Sequence, residues 1–106
     1  MPFSKLVLTT GSSPLRLNVP GADLAGVHTF RDSRDVDLLL TLAAQKKRVV
    51  VVGGGLLGLE AANGLKQRGM DVTVVHLMPW LMERQLDQTA ANMLQRSLEA
   101  KGLRFM

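Results

Sequence analysis

The sequence contains no cysteine and no tyrosine. Without cysteine there is no disulfide, no thiolate metal site and no cysteine nucleophile. Aromatic residues make up only 4% of the chain, one tryptophan and three phenylalanines among 106 residues. That leaves no stacking platform for nucleobases. Long apolar runs are also missing. Besides the valines described below, Leu38–Ala44 is the longest candidate, well short of a membrane span. Met1-Pro2-Phe3-Ser4-Lys5 lacks the architecture of a signal peptide. These absences lead us to expect a cytoplasmic protein that does not engage a membrane.

The formal charge is +4. The cations are scattered except at Lys46-Lys47-Arg48, which we read as a solvated loop before a strand rather than a phosphate patch. No nucleic-acid partner is expected. His28 has no second histidine at ligand spacing, so no metal site is expected. Nearly half of the residues are apolar, enough for one domain with a real core.

What the chain does have is concentrated in one run. Arg48-Val49-Val50-Val51-Val52 reads as a strand buried on both faces. Gly53-Gly54-Gly55 follows at once, then an apolar, alanine-rich helix pattern over Leu56–Arg68. Gly53, Gly55 and Gly58 stand in G-x-G-x-x-G spacing between strand and helix, the context that motif requires. Gly53 lets the chain turn off the strand, Gly55 opens the backbone to a pyrophosphate, and Gly58 lets the helix pack closely. The helix N-terminus offers N–H groups and partial positive charge to an anion.

Lys66-Gln67-Arg68-Gly69 closes the helix, and Asp71–Val75 is a second β-branched run, extending to His76. Elsewhere, Lys5–Thr10 reads as a short strand stopped by Gly11-Ser12-Ser13-Pro14. Residues 15–30 form an irregular connector. Asp32 or Ser33 is expected to cap a helix to about Gln45, with Val36, Leu39, Leu40 and Ala43 on one face. Asp87 is expected to cap a last helix to about Lys101, with Ala90, Met93, Leu94 and Leu98 on its apolar side. Gly102 ends that helix and Leu103–Met106 begins a third strand.

The fold class is therefore α/β, a Rossmann-like parallel βαβ unit with Arg48–Val52 central. Such a sheet normally continues beyond its third strand. The chain is thus expected to be part of a larger protein, and its open sheet edges to favour self-association. Met78, Met82 and Met93 read as gap-filling apolar groups, and Trp80 as a packing anchor, with an adenine neighbour as its alternative role.

Lys5–Pro14 (KLVLTTGSSP), Pro20-Gly21-Ala22, Arg31-Asp32 and Gly53–Glu60 (GGGLLGLE) occur in an order that resembles FAD-dependent pyridine-nucleotide oxidoreductases of the disulfide-reductase type. Val74–Asp87 (VVHLMPWLMERQLD) is most similar to the large subunit of assimilatory NAD(P)H nitrite reductases, with rubredoxin and ferredoxin reductases as the nearest alternatives. The resemblance implies a connector from an FAD domain over residues 1–46 and the first half of an NAD(P)H-binding domain over residues 47–106. Thr10 and Gly11 would touch FAD. Gly53, Gly55, Leu56, Leu57 and Gly58 would hold NAD(P)H, and Glu60 would lie near the nicotinamide. Siroheme and an iron–sulfur cluster would lie outside this chain. Read as a residue alone, Glu60 also suits the positive end of a helix. No general acid, base or nucleophile is evident.

One position departs from the family pattern. The second strand usually ends in an acidic residue that accepts from the ribose hydroxyls, and here it ends in His76. As a cation, His76 would favour a 2′-phosphate, with Arg84 within reach of the same pocket, so NAD and NADP both stay open. The rival readings are a non-enzymatic truncated βαβ interaction module and a different nucleotide user such as a methyltransferase.

Overall fold

Helix α1, Ser33–Ala43, is the first regular element in the computed structural model, which describes residues 1–45 and 47–106. Asp32 starts it. The Asp32 carboxylate accepts from the N–H groups of Arg34 at 2.9 Å and Asp35 at 3.2 Å, while the Asp35 carboxylate accepts from the Asp32 N–H at 3.3 Å. This reciprocal arrangement satisfies donors that a helix start otherwise leaves unpaired. Strand β1, Arg48–Val52, leads through the glycines into helix α2, Leu56–Gln67. Strand β2, Asp71–Val75, follows, then helix α3, Gln88–Ala100, and the short strand β3, Arg104–Phe105. Asp87 caps α3, accepting from the Ala90 N–H at 2.8 Å.

Helices α2 and α3 end in the same way. Gly69 and Gly102 take φ values of 83° and 86°, which an L side chain rarely adopts. After α2, Met70 N–H donates to Leu65 C=O and Gly69 N–H to Lys66 C=O. After α3, Leu103 N–H donates to Leu98 C=O and Gly102 N–H to Glu99 C=O. Each is a Schellman ending, and each brings two buried apolar residues together, Leu65 with Met70 and Leu98 with Leu103.

The three strands are parallel in the order β1-β2-β3, with Arg48 opposite Asp71, Val52 opposite Val75 and Val74 opposite Phe105. The middle strand of the described sheet is thus β2, where β1 was expected. Nor is β1 buried on both faces. Val49 and Val51 pack on the core, while Val50 and Val52 stay 61% and 63% exposed. Successive strand residues face opposite sides. Buried residues from all three helices, among them Ala43, Leu59, Ala62, Leu65 and Leu98, gather with Val72 and Val74 in one cluster. The core therefore lies on one side of the sheet, and the other side carries Val50, Val52 and Val75 without cover.

Lys5–Thr10 is not a strand. It is irregular and exposed, because no described strand lies beside it to pair its N–H and C=O groups. Half of the expectation of edge-driven self-association rested on that segment. Met93 is exposed, and Ala91 takes the buried place on α3. α1 stops at Ala43, short of Gln45, and α2 at Gln67. Lys46 lies outside the described residues, so the basic run is seen only at Lys47 and Arg48, both exposed.

Candidate dinucleotide site at the glycine loop

The loop between β1 and α2 requires glycine at several positions for different reasons. Gly53 has φ 113°, open in practice only to glycine. Its N–H extends the sheet ladder to Val75 C=O at 2.8 Å. At Gly58, a Cβ would fall 2.0 Å from the carbonyl oxygen of Gly53, a contact between backbones that no rotamer relieves. Close packing of helix on turn is what the motif's last glycine was expected to allow. Gly55, the residue before the helix, is the opposite case, since its Cβ would meet nothing within 4 Å.

No side chain caps α2, and its first turn holds no acidic residue. The first helical bond runs from Leu59 N–H to Gly55 C=O. The N–H groups of Leu56, Leu57 and Gly58 precede it and point out of the helix start. Glu60 sits one turn further on, exposed, and so is not the first-turn acid that a simple dipole role would need.

Gly54 was not among the expected site residues, yet it is the most tightly held of the loop. Its N–H donates to His76 Nδ1 at 2.9 Å, and its C=O accepts from Met82 N–H at 2.9 Å. A Cβ here would lie 2.5 Å from Leu81 Cδ2 and 2.9 Å from His76 Cγ. The segment between β2 and α3 is therefore clasped onto the glycine loop. The only sign in the sequence was a third consecutive glycine where G-x-G-x-x-G asks for two.

His76 follows β2, and its side chain is only 12% exposed. Beyond its bond to Gly54, its Nε2 lies 3.0 Å from Trp80 C=O and 3.3 Å from Glu83 Oε2. Trp80 is the expected anchor, its indole N–H donating to Leu86 C=O at 3.0 Å. Met82 takes φ 52°, unusual for a side chain of its size, and its C=O accepts from both Gln85 and Leu86. Arg84 points away, 87% exposed, with Nε 4.0 Å from Glu83 Oε1. Beside His76 a hollow of about 170 Å³ opens between Met78, Trp80, Phe105 and Met106.

The structure thus gathers Gly53, Gly55, Leu56, Leu57, Gly58 and His76 at the C-terminal ends of the strands. Open parallel sheets bind ligands there. Arg84 connects to this group only through Glu83. Thr10 and Gly11 lie in the exposed N-terminal segment, outside the core. Asp71 is at the other end of β2, where its carboxylate pairs with Arg104 Nη1 at 2.8 Å. The hydrogen bond from Arg104, its charge and those of Lys66 and Arg48 hold the Asp71 carboxyl below its ordinary value. Among the described residues, no three His, Asp or Glu side chains converge to hold a metal ion. At the start of α2, then, no side chain caps the helix and the space beside Gly55 is open.

The whole sequence, residues 1–106, matches one family profile, described as pyridine nucleotide-disulphide oxidoreductase. The chain belongs to the pyridine nucleotide-disulphide oxidoreductase family. It is 55% identical over 105 residues to a nitrite reductase [NAD(P)H] of Bacillus subtilis (strain 168), covering 99% of this chain and 13% of that protein. An assimilatory nitrate reductase electron transfer subunit of the same organism is 51% identical over 104 residues, covering 98% of this chain and 14% of that protein. Among solved structures, the water-forming NADH oxidase of Lactobacillus brevis, bound to NADH, superimposes with a TM-score of 0.84 at 27% identity. That match covers 92% of this chain and 22% of the oxidase chain. This member of the pyridine nucleotide-disulphide oxidoreductase family thus spans about one seventh of the two Bacillus relatives. No helix of the described residues is long and apolar enough to cross a membrane.

Proposed function

We propose that residues 47–106 form the first half of an NAD(P)H-binding domain in a larger flavin-dependent oxidoreductase, and that residues 1–46 connect it to an FAD domain. The observation that carries this reading is the start of α2, an uncapped helix N-terminus with open space at Gly55. Pyrophosphate is the ligand such a helix start suits, because it pairs with several unpaired N–H groups at once and is favoured by the helix dipole.

In this reading Gly53 and Gly58 shape the turn, and Gly55 gives the pyrophosphate room. Leu56, Leu57 and Gly58 donate their N–H groups to it. The hollow beside Trp80 offers an apolar wall to the adenine. Glu60 lies toward the nicotinamide, and Thr10 and Gly11 toward the flavin, as the family resemblance implies. When bound, the nicotinamide supplies the hydride and the flavin accepts it. The chain's own part is to bind and orient. The names of the Bacillus relatives support a role in nitrite reduction; ammonia as its product, and siroheme and an iron–sulfur cluster outside this chain, are what the family resemblance implies.

The test is Gly55→Val in the full flavoprotein that carries this chain. The branched side chain fills the pyrophosphate space, so NAD(P)H binding is lost while bound FAD, read from its absorbance, is unchanged. Unaltered NAD(P)H affinity in a folded Gly55→Val protein overturns the assignment.

A further inference from the structure

The end of β2 carries a histidine, and a histidine there suggests a cation for a phosphate group. The hydrogen bonds around His76 say otherwise. Nδ1 accepts the Gly54 N–H, so that nitrogen bears no proton. The ring's proton then sits on Nε2, which is turned to Trp80 C=O and Glu83 Oε2. A ring bound in this way is neutral, and its one N–H is spent within the protein. It has no donor left for a phosphate.

The group that stands beside it is a carboxylate. Glu83 is 23% exposed, with Oε2 3.3 Å from His76 Nε2, and belongs to the loop that Met82 clasps onto Gly54. The carboxylate therefore stands beside the glycine loop, at the C-terminal end of the second strand. Arg84 is the only basic neighbour on this loop. Its guanidinium is solvent-exposed, makes no hydrogen bond among the described residues, and reaches Glu83 only at 4.0 Å.

We propose that Glu83 sets the choice of dinucleotide, and that His76 is the positioning residue that holds it at the ribose end of the site, so that the chain takes NADH in preference to NADPH. The inference rests on the proposed dinucleotide site and adds its specificity. A carboxylate accepts hydrogen bonds from both hydroxyls of an unmodified adenosine ribose. A 2′-phosphate removes one of those donors and sets close to two negative charges against the carboxylate. The acidic partner thus comes from the loop, seven residues beyond the strand-end position at His76.

The experiment is isothermal titration of the oxidised full flavoprotein with NAD⁺ and with NADP⁺, which read binding without turnover. Hydrogen bonds to a charged acceptor predict that NAD⁺ binds at least about tenfold more tightly. Glu83→Gln brings the two affinities to within about threefold of each other, since the charge is what excludes the phosphate. Arg84→Gln leaves the preference in place. His76→Asn keeps an acceptor for the Gly54 N–H but loses the hold on Glu83. It therefore lowers the NAD⁺ preference, whereas a purely structural role would weaken both ligands alike. Equal binding of NAD⁺ and NADP⁺ by the unaltered protein, or a preference that survives Glu83→Gln, overturns the proposal. Binding of neither nucleotide overturns the dinucleotide site itself.

Discussion

Helices α1 and α3 begin on an aspartate, and α2 begins on a glycine. Asp32 and Asp87 turn their carboxylates onto the first N–H groups of their own helices. Gly55 offers nothing, and no acidic residue stands in the following turn. An aspartate cap contributes about 1 kcal/mol relative to a residue that cannot cap. The sequence supplies one to two of its three helices and withholds it from the third. The difference separates helix starts capped by the protein's own carboxylates from one that no side chain caps, the start to which the proposed function assigns an anion. The glycines at α2 serve different ends: Gly53 makes the turn, Gly54 and Gly58 allow close packing, and Gly55 leaves open the space that the proposed anion would take.

The strongest way to break this contrast is to destroy the α2 start itself. Gly58→Ala places a methyl group 2.0 Å from Gly53 O. Since neither atom belongs to a flexible side chain, the turn must open, and overpacking of this kind costs about 3 kcal/mol or more. Urea unfolding of the variant is expected to show a sharply lower midpoint. Equal stability would mean that helix and turn do not touch as described.

A sharper test makes α2 resemble its neighbours. Gly55→Asp gives it the missing cap. The helix gains a few tenths of a kcal/mol, about what an aspartate cap adds over glycine and seen as a slightly raised unfolding midpoint, while the carboxylate occupies the anion's place and NAD⁺ binding falls at least about tenfold by calorimetry. Stability and binding are expected to move in opposite directions. A variant that binds as before would show that the helix start is not where the dinucleotide sits.

The smallest effect is in acid. The hydrogen bond from Arg34, then those from the backbone, hold the Asp32 carboxyl below its ordinary value of 3.8. A depressed carboxyl stabilises the fold fully above its unfolded value, and that contribution disappears as pH falls through the lower folded value. Asp71, lowered chiefly by Arg104, behaves in the same direction. Helix content at α1, followed by the amide resonances of Arg34 and Asp35, is expected to decline below about pH 3.8 as Asp32 takes up its proton. The start of α2 has no such group and is expected to hold its amide resonances steady over that range.

The parts of the fold legible in the sequence are those written in neighbouring residues. The valine run, the aspartates ahead of α1 and α3 and the glycines after α2 and α3 each act within a few positions. They placed the helices and strands to within a residue or two. What could not be read comes from contacts distant in sequence. Nothing in the residues around Arg48–Val52 distinguishes a strand covered on two faces from one covered on Val49 and Val51 alone; that depends on three helices sharing one side. Lys5–Thr10 has the composition of a strand but no described strand beside it. The site divided in the same way. Gly53 and Gly58 follow from motif spacing, and the structure shows the turn and the close approach that need them. The clasp of Gly54 by His76 and Met82 joins residues more than twenty positions apart, and the left-handed turn at Met82 has no glycine or asparagine to announce it.

The matching ends of α2 and α3 have a consequence for how a sheet of this kind grows. Each helix hands the chain on through the same left-handed glycine and the same pair of crossing hydrogen bonds, with an apolar residue tucked back against the last turn. Each joint hands the chain to a strand, and the two strands that follow, β2 and β3, lie side by side and parallel. The joint works as a reusable connector. Adding a strand asks only for another helix that finishes on this pattern, so the architecture can lengthen by repetition without a new solution to the turn.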